Sequence, residues 1–155
     1  MATQIDTAEA RSPLDDMVCF ALYAAARATN RRYLSLLAPW NLTYPQYLVL
    51  VLLWSQRSLT VGEIAENLHL DTGTTSPLVR RLEQRGFIQR NRVSIDERVV
   101  TVSLTDEGMS LRDSLAHIPG CIAAATQLDE AAGREALTVL HEVTHNLDHP
   151  DERTP

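Results

Sequence analysis

The sequence predicts a mainly α-helical domain that carries a small β-hairpin, and three observations lead to this fold class. A length of 155 residues is typical of a single domain. Apolar residues recur at helical spacing through most of the chain. Near the middle, two short segments with strand-like alternation, FIQRNRV and RVVTVSL, flank the turn SIDE. We therefore expect helices to supply most of the core and one hairpin to project from them.

The first third of the chain predicts two helices of different character. The motif SPLD at residues 12–15 favours a helix start, because serine caps, proline fits the first helical position and aspartate suits the positive helix end. This helix is expected to run to about Leu37 and to stop before Pro39. A second helix over about residues 45–55 is apolar on most sides, which predicts that it is buried.

A pair of short helices is predicted next. Thr60 and Glu63 form a Thr-x-x-Glu capping box ahead of the first of them. In the second, Leu78 and Leu82 are an i,i+4 pair, and Gly86 favours termination. The short connection between them predicts a tight turn.

The hairpin and two later helices complete the pattern. Val100, Val102 and Leu104 are expected to alternate inward along the second strand. Thr105 is expected to cap the following helix, and a last helix is expected at about residues 129–147.

Helix, turn, helix and hairpin together predict a winged helix-turn-helix over about residues 45–104 of a single domain. The helices at about residues 13–38 and 106–147 are expected to form a two-fold dimerisation region.

Charge is distributed unevenly along the chain, which has a net charge of −6 and contains no lysine. Six arginines and three carboxylates between residues 80 and 98 give that segment +3 and leave −9 on the rest. A basic strip on an acidic body favours a polyanion, so double-stranded operator DNA is the expected partner. Small polar residues that start the second helix of the pair, and the arginines of the strip, are the expected contacts: Thr72, Thr74, Thr75, Ser76, Arg80, Arg81, Arg85, Arg90, Arg92 and Arg98.

Targeting signals are not evident in the sequence. No early apolar run has the flanks of a signal peptide, and none reaches about 18 residues, so we expect a cytoplasmic protein with no membrane partner. Two cysteines, Cys19 and Cys121, argue against a structural disulfide framework in such a compartment and leave packing, metal or redox roles open. No cofactor is expected.

The stretch from LTVGEI to LTDEG resembles the MarR family of bacterial winged-helix regulators, with the wing signature DER…LT at Asp96, Arg98, Leu104 and Thr105. The segments CFALYAAARA and LTYPQYLVLVLLW are similar to those of its organic hydroperoxide-sensing branch, the OhrR-type repressors. The likeness covers about residues 14–122. It implies a repressor that binds operator DNA as a homodimer when reduced and releases it on oxidation by an organic hydroperoxide.

The resemblance also implies roles for particular residues. Cys19 would be the peroxidatic thiol, hydrogen-bonded by Tyr33 and Tyr44 of the other subunit, with Tyr23 lining the same pocket. The segment IPGC resembles the two-cysteine subclass, in which Cys121 would resolve the sensor as an intersubunit disulfide.

For DNA binding, the family pattern implies that Arg98 enters the minor groove while Asp96 orients it. It also implies that Thr72 and Thr74 contact DNA from the recognition helix.

Helix geometry supports the dimer separately. Cys19 and Tyr23 are four residues apart and share a helix face. Tyr33 lies fourteen residues beyond Cys19, about 21 Å along the axis, which is too far for a tyrosine to reach. If Tyr33 contacts Cys19, it must come from a second, antiparallel copy of the helix. Cys19 itself is expected beyond the first turn of that helix, where the helix dipole helps a thiolate little.

Alternative interpretations remain open at this point. Cys19 could be structural in a MarR-type repressor that senses a small aromatic or phenolic ligand. A thiol peroxidase would use Cys19 catalytically but leaves the arginine-rich wing unexplained, so we expect no enzyme. A winged helix used only for protein contacts would leave the same strip unexplained. The motif HEVTH at residues 141–145 matches a zinc-protease pattern, but the candidates for a third ligand, Asp148 and His149, lie in a short tail that is not expected to build a cleft, so a surface histidine pair is the simpler interpretation. A regulatory metal site formed by His117, Cys121 and these histidines is a further alternative.

Overall fold

The computed structural model describes residues 12–92 and 100–150, and it confirms the mainly helical fold with a small antiparallel sheet. In chain order the elements are α1 (Val18–Leu37), a 3₁₀ turn (Ala38–Trp40), α2 (Tyr44–Gln56), β1 (Ser58–Thr60), α3 (Val61–Asn67), α4 (Thr72–Gln84), β2 (Ile88–Arg92), β3 (Val100–Leu104), α5 (Asp106–Leu115), α6 (Ile118–Thr126) and α7 (Glu130–Asp148).

The first helix begins at Val18, so the start expected near residue 13 is wrong. The polar groups of the SPLD motif close a separate turn instead. The Ser12 N–H donates to Asp15 Oδ2 at 2.9 Å, and the Asp15 N–H donates to the Ser12 carbonyl oxygen at 2.9 Å. Serine and aspartate side chains compete with helix formation in this way, because they satisfy backbone groups locally.

Capping boxes fix the starts of α2 and α3. The Glu63 N–H donates to the Thr60 hydroxyl at 3.1 Å, and the Thr60 N–H donates to Glu63 Oε2 at 2.6 Å, which confirms the predicted box. The bond from the Thr60 N–H, followed by a bond from the Thr60 hydroxyl to the same carboxylate oxygen at 2.8 Å, holds the pKa of Glu63 below its ordinary value. Thr43 and Gln46 form a second box at α2. Both helices therefore begin where side chains satisfy the free N–H groups of the first turn.

The predicted hairpin is present and carries a third strand. The sheet order is β1-β3-β2, with both pairs antiparallel. Val102 lies in the central strand, pairs with Leu59 of β1 and is fully buried, whereas Val100 and Leu104 are only half-buried. The sequence did not predict β1, because three residues are too few to show alternation.

The chain divides into two compact units, Met1–Ser114 and Leu115–Pro155. In the first, α3 packs against α4, and α2 packs against α4 and β3. These elements bury a set of aliphatic side chains, namely Val49, Leu50, Leu53, Ile64, Val79, Leu82 and Val102.

The second unit contains α6 and α7. The last helix agrees with the expectation and is capped by Asp129, which accepts from the Ala132 N–H at 2.8 Å. α6 was not predicted as a separate helix; its proline lies in the first turn, where a missing N–H needs no partner.

Among the described residues, no single helix is both long and apolar enough to cross a membrane. The segments Val18–Trp40 and Tyr44–Gln56 reach such a composition only when taken together, and they are bent by 73° at the break between them.

Candidate DNA-binding surface and thiol site

The N-terminus of α4 is organised by Asp71. Its carboxylate accepts from the Thr74 N–H at 2.7 Å and from the Thr74 hydroxyl at 2.8 Å, and these bonds lower the pKa of Asp71. A Cβ at Gly73 would lie 2.9 Å from Asp71 Oδ1, so glycine leaves room for the cap. The cap presents the first turn of α4 in a fixed conformation.

Most of the residues expected to contact DNA from α4 are exposed: Thr72, Thr74, Ser76, Arg80 and Arg81. Thr75 differs, because it is fully buried and its hydroxyl donates to the Asp71 carbonyl oxygen at 2.9 Å. We therefore remove Thr75 from the set of DNA-facing residues.

The Arg85 side chain is also occupied by hydrogen bonds within the protein. Its guanidinium donates to the carbonyl oxygens of Asn41, at 2.8 Å, and Trp40, and lies 4.8 Å from the centre of the Phe87 ring. These bonds join the end of α4 to the turn that follows α1. An arginine that satisfies backbone carbonyls is a structural element, so we also remove Arg85 from the DNA-facing set.

On the wing, Arg90 pairs with Glu83 of α4. Arg90 Nε donates to Glu83 Oε2 at 2.7 Å, and this interaction lowers the pKa of Glu83. The pair joins β2 to α4, and sequence reasoning did not identify Glu83 as a partner. Arg92 is the last residue of β2. Asp96 and Arg98 lie outside the described residues.

A groove of about 480 Å³ opens between the start of α3, one face of α4 and the sheet. Its lining combines small polar and aliphatic side chains with one arginine: Thr60, Val61, Gly62, Thr72, Ser76, Val79, Arg90 and Val100.

Cys19 is exposed and is the second residue of α1, so the expectation that it lies beyond the first turn is wrong. Tyr23 is exposed one turn further on, and its hydroxyl accepts from Arg27 Nη1 at 3.2 Å. The structure therefore places Cys19 and Tyr23 along one accessible stretch of α1.

Tyr33 and Tyr44 lie together, away from Cys19 along the helix. Their rings stack with centroids 3.9 Å apart at 18°, and Tyr47 lies 5.7 Å from Tyr33. Burial, followed by the neighbouring Tyr44 and Tyr47, raises the pKa of Tyr33 to about 12. Tyr33 therefore remains a protonated hydrogen-bond donor at neutral pH.

Sequence reasoning did not identify Tyr47 or Trp54 as neighbours of this pair. Tyr47 is buried and meets the edge of Trp54 with centroids 6.1 Å apart, and Trp54 Nε1 donates to the Gly108 carbonyl oxygen at 2.9 Å. The spacing of Tyr44, Tyr47 and Trp54 by three and then seven residues places them on one face of α2 and was the available signal.

Cys121 is half-buried in α6, where its N–H donates to the His117 carbonyl oxygen at 3.1 Å. On α7 the histidines of HEVTH are exposed. Across residues 12–92 and 100–150, no group of three or more histidine, cysteine or carboxylate side chains could hold a metal ion.

The chain is similar to known regulators of transcription. The family described as transcriptional regulator SarA/Rot matches residues 32–115. The organic hydroperoxide resistance transcriptional regulator of Bacillus subtilis (strain 168) is 47% identical over 109 residues, which cover 70% of this chain and 74% of that protein.

Solved structures of AbfR are also similar, among them the crystal structure of AbfR of Staphylococcus epidermidis. Reduced AbfR bound to DNA matches with a TM-score of 0.75 and 31% identity, covering 90% of this chain and 96% of that one. Disulfide-formed AbfR matches with a TM-score of 0.60 and 30% identity, covering 90% and 93%.

Proposed function

Since the chain belongs to the MarR family of winged-helix transcriptional regulators, we propose that it is a repressor that binds operator DNA as a homodimer and releases it when an organic hydroperoxide oxidises Cys19. The Bacillus subtilis relative named for organic hydroperoxide resistance supports the signal, and the AbfR structures named as reduced and disulfide-formed support a thiol switch.

One observation carries this proposal. Tyr33 and Tyr44 form a stacked pair of phenol donors, while Cys19 lies at the opposite end of α1, about 21 Å away along the axis. A two-fold dimer with antiparallel copies of α1 would bring the tyrosine pair of one subunit to Cys19 of the other. Exposed apolar side chains along α1, such as Val18 and Leu34, are consistent with a contact surface for that second copy.

The proposed chemistry is a two-electron oxidation. The Cys19 thiolate attacks the terminal peroxide oxygen, the O–O bond breaks, and the alkoxide takes a proton and leaves as an alcohol. Cys19 becomes a sulfenic acid. The Cys121 thiolate of the partner then attacks the Cys19 sulfur, the S–O bond breaks, and protonated hydroxide leaves as water. One hydroperoxide is thereby reduced for one disulfide formed.

DNA binding is assigned to α4 and the wing. The exposed first turn of α4 would enter the major groove, and the two recognition helices of the dimer would lie roughly 34 Å apart. The wing residues Arg90, Arg92 and Arg98 would lie beside the minor groove, with Asp96 orienting Arg98. Oxidation would alter the tyrosine contacts and move the recognition helices from this spacing, which shifts the population toward a dimer that does not bind.

The first test needs no operator. Purified protein is treated with one equivalent of cumene hydroperoxide and run on a non-reducing denaturing gel beside Cys19→Ser and Cys121→Ser. We expect a dithiothreitol-reversible dimer band in the wild type alone, because each variant lacks one of the two thiols.

Intact mass distinguishes the other outcomes. A gain of one oxygen that requires Cys19, without a dimer band, would retain the peroxide signal but contradict the role of Cys121. An unchanged mass would contradict the oxidation mechanism and favour a small aromatic ligand instead, for which the groove between α3, α4 and the sheet is one candidate site.

A further inference from the structure

Aromatic ring contacts run from Tyr33 and Tyr44 to Trp54, which is hydrogen-bonded to α5. We define the aromatic relay as Tyr33, Tyr44, Tyr47 and Trp54. Tyr47 contacts both the Tyr33 ring, at 5.7 Å, and the Trp54 ring, at 6.1 Å. Tyr33 is half-buried, whereas Tyr47 is buried in a close-packed interior, so a movement of the Tyr47 ring displaces the rings that it contacts.

The relay ends on the backbone of α5. Trp54 Nε1 donates to the Gly108 carbonyl oxygen at 2.9 Å, across 54 residues of sequence. A part-buried indole N–H is costly to leave without an acceptor, so Gly108 and the Trp54 ring are expected to move together.

Gly108 in turn lies directly against the connection between α4 and β2. A Cβ built on Gly108 would lie 1.9 Å from the Phe87 carbonyl oxygen, so the two backbones are in contact. Thr105 reinforces this contact, because its N–H donates to the Phe87 carbonyl oxygen at 3.1 Å and its hydroxyl donates to the Gly86 carbonyl oxygen at 2.6 Å. The first turn of α5 is therefore fastened to the point where the recognition helix ends and the wing begins.

We propose that Trp54 is a positioning residue that transmits the state of the tyrosine pair to α4 and the wing through its hydrogen bond to Gly108. The proposal rests on the proposed function, since the signal it transmits is the oxidation of Cys19. When oxidation displaces Tyr33 and Tyr44, the Tyr47 ring moves against Trp54, and the movement of Gly108 reorients the α4–β2 connection.

The decisive variant is Trp54→Phe, which keeps an aromatic ring against Tyr47 but removes the N–H donor. Tyr47→Phe is the matched control, because it also removes one polar atom from the relay but leaves every ring contact and the bond to Gly108. Each protein is compared in its reduced form and after cumene hydroperoxide, using fluorescence anisotropy with a duplex that reduced wild-type protein selects from a random library. Intact mass records the oxidation of Cys19 in the same samples.

We expect reduced Trp54→Phe to bind the duplex as the wild type does and to be oxidised to the same extent. The ratio of oxidised to reduced Kd should be smaller than in the wild type by about tenfold, whereas Tyr47→Phe should keep the wild-type ratio. An unchanged ratio in Trp54→Phe would overturn the proposal.

Two further outcomes are separated by the same data. If Trp54→Phe does not fold by circular dichroism, Tyr47→Leu takes its place, because it removes the ring contacts and leaves the indole bond to Gly108, and the same loss of ratio is expected. If wild-type protein is not oxidised, or is oxidised without losing affinity, the proposed function fails and this proposal fails with it.

Discussion

Gly108→Ala tests the close contact between α5 and the α4–β2 connection. In an unobstructed helix this change is favourable by about 1 kcal/mol, because alanine is the better helix former. Here the new methyl would lie 1.9 Å from the Phe87 carbonyl oxygen, far inside ordinary contact distance, which begins at 3.4 Å, and 3.1 Å from Leu104 Cδ2, which is slightly inside it. The backbones must therefore separate.

The expected cost follows from these distances. Overpacking of this kind typically costs about 1–3 kcal/mol, and contact with a rigid backbone places Gly108→Ala at the upper end. Moving Gly108 also weakens the bond from Trp54, worth about 1 kcal/mol. After the gain in helix propensity, we expect a net loss of about 3 kcal/mol in the free energy of unfolding. For a chain of this length, that loss lowers Tm by roughly 6–12 °C.

Gly120→Ala is the matched control for this measurement. Gly120 is the third residue of α6, as Gly108 is the third residue of α5, but a Cβ added to Gly120 would have no heavy atom within 4 Å. We expect Gly120→Ala to be neutral or more stable by up to about 1 kcal/mol. Urea and thermal midpoints are compared at one protein concentration. A Gly108→Ala midpoint equal to the wild type would refute the reasoning.

Three other predictions concern single side chains. Arg85→Ala should lower the free energy of unfolding by about 1–3 kcal/mol, because two backbone carbonyls lose a charged donor, and should leave the salt dependence of DNA binding unchanged. Arg80→Ala should leave the free energy of unfolding nearly unchanged but reduce the slope of log K for DNA binding against log salt concentration by about 1. Urea titrations measure the first quantity and anisotropy titrations the second. A destabilised Arg80→Ala protein together with a reduced salt slope in Arg85→Ala would contradict both assignments. The free energy of unfolding should fall as the pH rises from 10 to about 12, because the pKa of Tyr33 is raised from 10.0 to about 12 and the unfolded chain loses this proton first. Tyr33→Phe should lack the part of this decline that comes from Tyr33. Wild-type urea midpoints that stay the same from pH 10 to about 12 would contradict the prediction.

Local signals in the sequence predicted much of the helical framework. The Thr60 capping box needs only neighbours three residues apart, and Gly86 follows the end of α4 with a φ of 77° that glycine adopts without strain. The prediction that a helix starts at the SPLD motif was wrong because of similarly local interactions. Its serine and aspartate can satisfy backbone groups in a turn as well as in a helix, and the sequence does not decide between the two.

The candidate site was less predictable, because its side chains are paired over long distances in the sequence. An arginine strip shows where positive charge accumulates, but not that Arg85 reaches carbonyl groups 44 and 45 residues earlier. Thr74 and Thr75 are the same residue type, yet Thr74 is exposed and Thr75 is buried, because they lie on different sides of α4. Only the packed structure shows which residue in a run of similar side chains is exposed and able to contact DNA.

The short strand β1 has a mechanical consequence. β1 follows α2 after a single residue, directly precedes α3 and pairs along its whole length with β3, the central strand of the sheet. The base of the hairpin is therefore tied through β1 to the end of α2 and the start of α3. We expect a displacement of α2 to pull on β3 directly, by a path that is separate from the Trp54 bond to Gly108.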